Sequence, residues 1–196
     1  MSTLVKFLTP EQYLEIERKA KFKSEYYNGE MFAMSRAREP HVLIVGNAVF
    51  KLRLQLRSGL CRQYFNDMRV RVSAMGLYTY PDIAVVCGER QFLDDRRDTL
   101  LNPTLIIEVL SESTEAYDRG KKFEHYRSLP SLRDYLLVAS DHISVELFTR
   151  QADGHWVLSE AHKAEDIIGL DSIGAQLRMA DLYEDVELTA PAAPSE

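Results

Sequence analysis

Tyr80-Pro81-Asp82-Ile83-Ala84-Val85-Val86 and Leu105-Ile106-Ile107-Glu108-Val109-Leu110 are the two stretches that decide the fold. Each holds an apolar run of strand length without polar alternation, so both read as strands buried on both faces at the centre of a sheet. Each also carries a carboxylate, Asp82 near the start of the first and Glu108 inside the second. Leaving an ionised carboxylate unpaired in a low-dielectric interior costs several kcal/mol, so such a residue is salt-bridged, protonated or holding a metal ion. Two acids on two buried strands point to the metal. Oxygen ligands suit a hard divalent cation, Mg²⁺ or Mn²⁺, whose work in phosphodiester hydrolysis is to polarise the phosphoryl oxygen and help generate hydroxide.

Outward from these strands the chain alternates helices and strands. Thr9-Pro10-Glu11-Gln12 combines an N-cap, a proline at the first helical position and a glutamine three residues after the cap, which predicts a helix over 10–19. Asn28-Gly29, between 24–27 and 30–34, is the strongest local signal for a hairpin with a type I′ turn. Val42, Val45, Val49, Leu52 and Leu56 recur at helical spacing and predict a long helix over 41–57, stopped by Ser58-Gly59. Strands follow at 61–65, 68–73 and 80–87. A polar loop over 88–102, placed to cover a site, leads into the strand at 104–110. Ser113 is the expected cap of a helix over 114–128, and strands at 134–138, 143–150 and 155–160 complete the pattern.

The 196 residues suit one domain over 1–189, and the small, proline-rich segment 190–196 reads as a disordered tail. Hydrophobic residues at 45% and charged residues at 28% exclude wholesale disorder and a fibrous repeat. Lys+Arg at 24 against Asp+Glu at 30 give a net charge of −6, which argues against coating nucleic acid through overall basicity. No run of 18 apolar residues exists, which predicts no membrane span. Without a secretory leader the expected compartment is cytoplasmic and reducing, and the two cysteines, Cys61 and Cys87, are expected to pack as separate thiols. They are too few for a zinc site.

Asp118 and Lys122 stand four residues apart in the helix after the Glu108 strand, so they share a face, which Tyr126 continues. This is either an ordinary i,i+4 ion pair on a solvated face or a lysine delivered to the two acids. Lys51, Arg53, Arg57, Arg62, Arg69 and Arg71 against the single acid Asp67 form a local basic excess, read as a solvated surface or as phosphate contacts. Arg36 and Arg38, before the long helix, are further candidates for a backbone phosphate, with Lys51, Arg53 and Lys121.

The ordered set Glu25-Tyr26-Tyr27-Asn28-Gly29-Glu30, His41 with Asn47, Asp67-Met68-Arg69-Val70, Tyr80-Pro81-Asp82, Pro103 through Leu110 with Ser111, Ser113-Thr114, and Asp118 with Lys122 and Tyr126 resembles the Uma2 (DUF820) family over nearly the whole chain. The resemblance implies the PD-(D/E)xK, restriction-endonuclease-like fold: an α/β (α+β) domain with a central mixed β-sheet flanked by helices, carrying here an N-terminal helix and β-hairpin. It implies a Mg²⁺-dependent (or Mn²⁺-dependent) endonuclease acting on nucleic acid, DNA first, as a homodimer. On this resemblance Pro81-Asp82 is the PD element and Glu108 the acid of the second element, both metal ligands. Leu110 stands where the in-strand lysine belongs, so Lys122 fills that space from the following helix. Glu30 resembles an acid the family carries in its hairpin turn and joins the catalytic set; Glu25, His41, Asp118 and Tyr126 are secondary candidates. The rival reading is a catalytically inactive module that binds nucleic acid or protein through the same groove.

Overall fold

The computed structural model describes residues 7–57, 59–72 and 76–188. Thr9 caps α1 (Pro10–Glu17) as expected, its hydroxyl accepting from the Gln12 amide while the Gln12 side chain accepts from the Thr9 amide. The hairpin follows as β1 (Ser24–Tyr27) and β2 (Glu30–Ala33), with Tyr27 opposite Glu30. Asn28 and Gly29 both take positive φ, 48° and 90°, as a type I′ turn requires. A Cβ at residue 29 would also stand 2.6 Å from the Phe7 ring. α2 (Glu39–Gln55) starts two residues before the expected His41 because Pro40 is tolerated in a first turn, where its missing N–H costs nothing. It stops before Ser58, which lies outside the described residues.

The strands that come next are β3 (Cys61–Phe65), β4 (Arg69–Val72), β5 (Leu77–Thr79), β6 (Ile83–Cys87), β7 (Thr99–Leu100) and β8 (Leu105–Leu110). One helical run then covers α3 (Glu115–Tyr117), a π-helical turn (Asp118–Lys122) and α4 (Phe123–Tyr126). β9 (Asp134–Ala139), β10 (Val145–Arg150), β11 (Trp156–Ala161), β12 (Ile167–Leu170), β13 (Ala175–Arg178) and α5 (Met179–Leu182) complete the chain. The segment 190–196, expected to be a tail, lies outside the described residues, as does Ser73 at the end of an expected strand.

The central sheet is mixed and six-stranded, in the order β11-β10-β9-β8-β6-β3, with β8 parallel to β9 and the other neighbours antiparallel. Its inner strands are buried on both faces, which is why they read as unbroken apolar runs. On β8, Leu105, Ile107 and Val109 face a core shared with α2, β12, β13 and α5, while Ile106 and Leu110 face a second core against β4, β5 and α4. Glu108 has the parity of the second set.

Four expectations are corrected. Residues 80–87 are not one strand: Pro81 has no N–H for a ladder, and Tyr80-Pro81-Asp82 carries the chain from β5, in a five-stranded sheet of order β2-β1-β5-β4-β7, into β6 of the central sheet. The polar stretch 88–102 contains β7, parallel to β4. Ser113 does not cap the helical run; its hydroxyl and that of Thr114 both bond to Ser111 Oγ, at 3.1 and 3.0 Å. Cys61 and Cys87, expected as separate thiols, are register partners on antiparallel β3 and β6 and form a disulfide. It closes a loop across 26 positions, so reduction is expected to cost up to about 3.5 kcal/mol by loop-closure entropy; urea melts with and without dithiothreitol check this.

Candidate active site

The register between β6 and β8 assembles the centre of the site. Its last ladder pair joins Ile83 to Ile107, and one step further the same register sets Asp82 opposite Glu108. Asp82 is held there by its own carboxylate: Oδ2 accepts from the Val109 amide at 2.7 Å and Oδ1 meets His41 Nε2 at 3.0 Å. His41 comes from the first turn of α2. Glu108 is buried, and its Oε1 accepts from the Tyr126 hydroxyl at 3.0 Å.

Lys122 enters from the π-helical turn. Its Nζ lies 3.0 Å from Glu108 Oε1, 3.1 Å from Asp118 Oδ1 and 3.6 Å from Glu25 Oε1. The side chain is 7% exposed, so the solvated-face reading of the Asp118 and Lys122 pair is excluded. A π turn adds a residue to the helical repeat, a device often found at functional sites. Here it falls on the segment that aims both side chains at the sheet.

Three carboxylates, those of Glu25, Glu108 and Asp118, thus surround one ammonium, and a fourth, Asp82, stands beside Glu108. Burial pushes Glu108 well above the usual carboxylate range, Asp118 and Asp82 push the same way, and Lys122 opposes them. Asp118 is raised for the same first reason. For Lys122 burial works against the charge, but Glu108, with Asp118 and Glu25, outweighs it and holds the ammonium well above its ordinary value. The site is short of positive charge, and its donors are oxygens; both fit a hard divalent cation. Among the described residues no three His, Cys, Asp or Glu side chains stand close enough to cage a metal ion. Two carboxylates completed by water and phosphate oxygens is the ordinary arrangement for Mg²⁺.

Asp82, Glu108, Asp118, Lys122 and His41 all line one cavity of about 690 Å³. Glu30 does not join them. It is exposed at the start of β2, opposite Tyr27 and two residues nearer the turn than the Glu25 and Phe32 pair, so the hairpin delivers Glu25 in its place. Arg36 lines this cavity, and both Arg36 and Arg38 line a neighbouring one with His41. Lys51 is taken by Asp181 at 3.0 Å and Glu184 at 3.3 Å, and Lys121 by Glu124 at 2.9 Å; Arg53 is exposed on α2 and lines none of these cavities. Arg69, read with the basic run, is buried, its Nε donating to Tyr80 Oη at 2.9 Å, which donates to Glu17 at 2.9 Å. Lys21 and Lys23 line the main cavity and went unread, although Lys19-Ala20-Lys21-Phe22-Lys23 is a visible basic run just before the hairpin.

The fold is restriction-endonuclease-like. The family model Uma2, described as "Putative restriction endonuclease", matches residues 10–180, and the chain belongs to that family. Its relatives include two uncharacterized proteins of Synechocystis sp. One, slr1290, is 36% identical over 178 residues, covering 90% of this chain and 91% of the relative. The other, sll1609, is 34% identical over 155 residues, covering 79% and 88%. Among solved structures, a DUF820 protein of Anabaena variabilis, described as a "putative nuclease", superposes with a TM-score of 0.73 at 17% identity, over 88% of this chain and 96% of that one. No helix among the described residues is long and apolar enough to cross a membrane.

Proposed function

We propose that this chain is a Mg²⁺- or Mn²⁺-dependent endonuclease that hydrolyses phosphodiester bonds in DNA. The observation that carries the reading is Lys122 Nζ at 3.0 Å from Glu108 Oε1. The lysine missing from strand position 110 arrives from the helix, and a catalytic constellation is defined by position in space rather than in sequence. Asp82 and Glu108 would hold the cation, which when bound supplies Lewis-acid polarisation of the phosphoryl oxygen and lowers the pKa of a bound water. Asp82 is aimed by the Val109 amide and His41. Lys122 faces the charge that develops on the phosphorane oxygens. Glu25 and Asp118 fix the ammonium, and Tyr126 fixes Glu108. Arg36 and Arg38 receive backbone phosphates beside the site. The expected unit is a homodimer in the cytoplasm, the symmetry that suits cutting both strands of a duplex.

Plasmid and single-stranded DNA incubated with Mg²⁺ or Mn²⁺ test the reading. Cleavage is expected from the wild type and not from the double variant Asp82→Ala, Glu108→Ala. Absence of cleavage from a folded, metal-supplied wild type would favour the inactive binding module, which the close ion pairing of Lys122 already allows.

A further inference from the structure

A second cavity, of about 620 Å³, adjoins the first, and the hydrolytic reading makes no use of its aromatic wall. The hairpin supplies Tyr27 and Phe32 to its wall, the helical run supplies Tyr117 and His125, and Leu77 of β5 closes it with an aliphatic group. Tyr27 and His125 lie ring against ring, centroids 4.8 Å apart. Phe32 and Tyr117, by contrast, leave 48% and 36% of their surface exposed, and the Lys122 ammonium stands 5.9 Å from the Tyr117 ring centroid. His125 is only 4% exposed, and its Nδ1 has no hydrogen-bond partner among the described residues. Aromatic walls with a few polar groups are the lining that a flat heteroaromatic ring requires, because every base has a face to stack.

What would fill it follows from where it opens. Ser35, Thr114, Asp118 and Lys122 line both cavities, so the Lys122 side chain is common to the acid cluster and to this aromatic slot. Lys121 also lines it; its pair with Glu124 is an exposed surface pair that a nucleotide phosphate can compete with. A strand with a phosphate at Asp82 and Glu108 therefore carries an adjacent base past the opening. We propose that this cavity takes one unpaired nucleobase of the strand being cut, stacked against Phe32 and Tyr117. The inference rests on the nuclease reading and adds a substrate class to it: single-stranded, frayed or bulged nucleic acid, in which a base leaves its stack at least cost.

Fluorescence anisotropy with the full chain tests it, using a short labelled single-stranded DNA and the same strand with abasic sites, with Ca²⁺ in place of Mg²⁺ so that binding is read rather than cutting. The intact strand is expected to bind the wild type about tenfold more tightly than the abasic one, the effect of one stacked base. In a Phe32→Ala, Tyr117→Ala variant, with its fold checked by circular dichroism, that preference is expected to vanish. Equal binding of the two strands by the wild type would overturn the base pocket and leave the nuclease reading standing. A preference that survives in the variant would place the base elsewhere and overturn the pocket too. No binding of either strand would overturn the pocket and leave the nuclease reading to the plasmid cleavage experiment.

Discussion

Lys122→Ala is expected to destabilise the protein by about 3–5 kcal/mol at neutral pH, the usual result of removing one partner from a buried ion pair, and to abolish cleavage. Glu108 and Asp118 would then be left buried without their cation, since both contact the same ammonium. The folded-state pKa of Lys122 is raised, so its contribution is fully present below the unfolded lysine value, neutral pH included, and is lost only as pH rises through the folded one. In the variant the burden passes to the carboxyls. Their folded pKa values, already raised, rise further, and a raised carboxyl costs stability as pH climbs through and above its unfolded value. The deficit is therefore expected to be small near pH 4 and large at pH 7.5. Urea denaturation across that range measures it, and a deficit independent of pH would show that Lys122 does not neutralise these acids.

Much of this centre was legible in the sequence, for a local reason. An acid inside an apolar strand is conspicuous because burial and charge conflict, and Asp82 and Glu108 stand out on that ground alone. Helical spacing likewise put Lys122 and Asp118 on one face. What could not be read were the choices that depend on distant partners. Whether the hairpin presents Glu25 or Glu30 is decided by which end of the hairpin lies beside the π-helical turn. Lys51 looked free because its partners, Asp181 and Glu184, are 130 or more positions away, beside a short helix that escaped notice. The same holds for Cys61 and Cys87, which meet only through the β3 and β6 register. β12 and β13 had a local signal that went unread: Ile168 and Leu170, then Ala175 and Leu177, alternate with exposed residues around Gly174, whose φ is 64°.

The second large effect concerns pH and cation together. Burial, with Asp118 and Asp82 beside it, raises Glu108 in the absence of metal, so the folded protein holds a proton there that the unfolded chain has already released. By linkage this favours the folded state at low pH and is progressively lost as pH rises through the folded value. A divalent cation reverses the balance, because only the ionised carboxylate binds it, and binding must expel the proton. Mn²⁺ is therefore expected to raise the melting temperature of the wild type by an amount that grows with pH; on acidification the increment is lost while the pH is still above the ordinary carboxylate range. At a hundredfold excess over its dissociation constant the gain is about 2.7 kcal/mol, large enough to read in a thermal melt. Glu108→Gln, which keeps the shape and removes the charge, is expected to lose the Mn²⁺ increment at every pH. A wild type whose melting temperature is indifferent to Mn²⁺ at pH 8 would remove the cation from Asp82 and Glu108, and an increment that survives in Glu108→Gln would move it to other oxygens of the cluster.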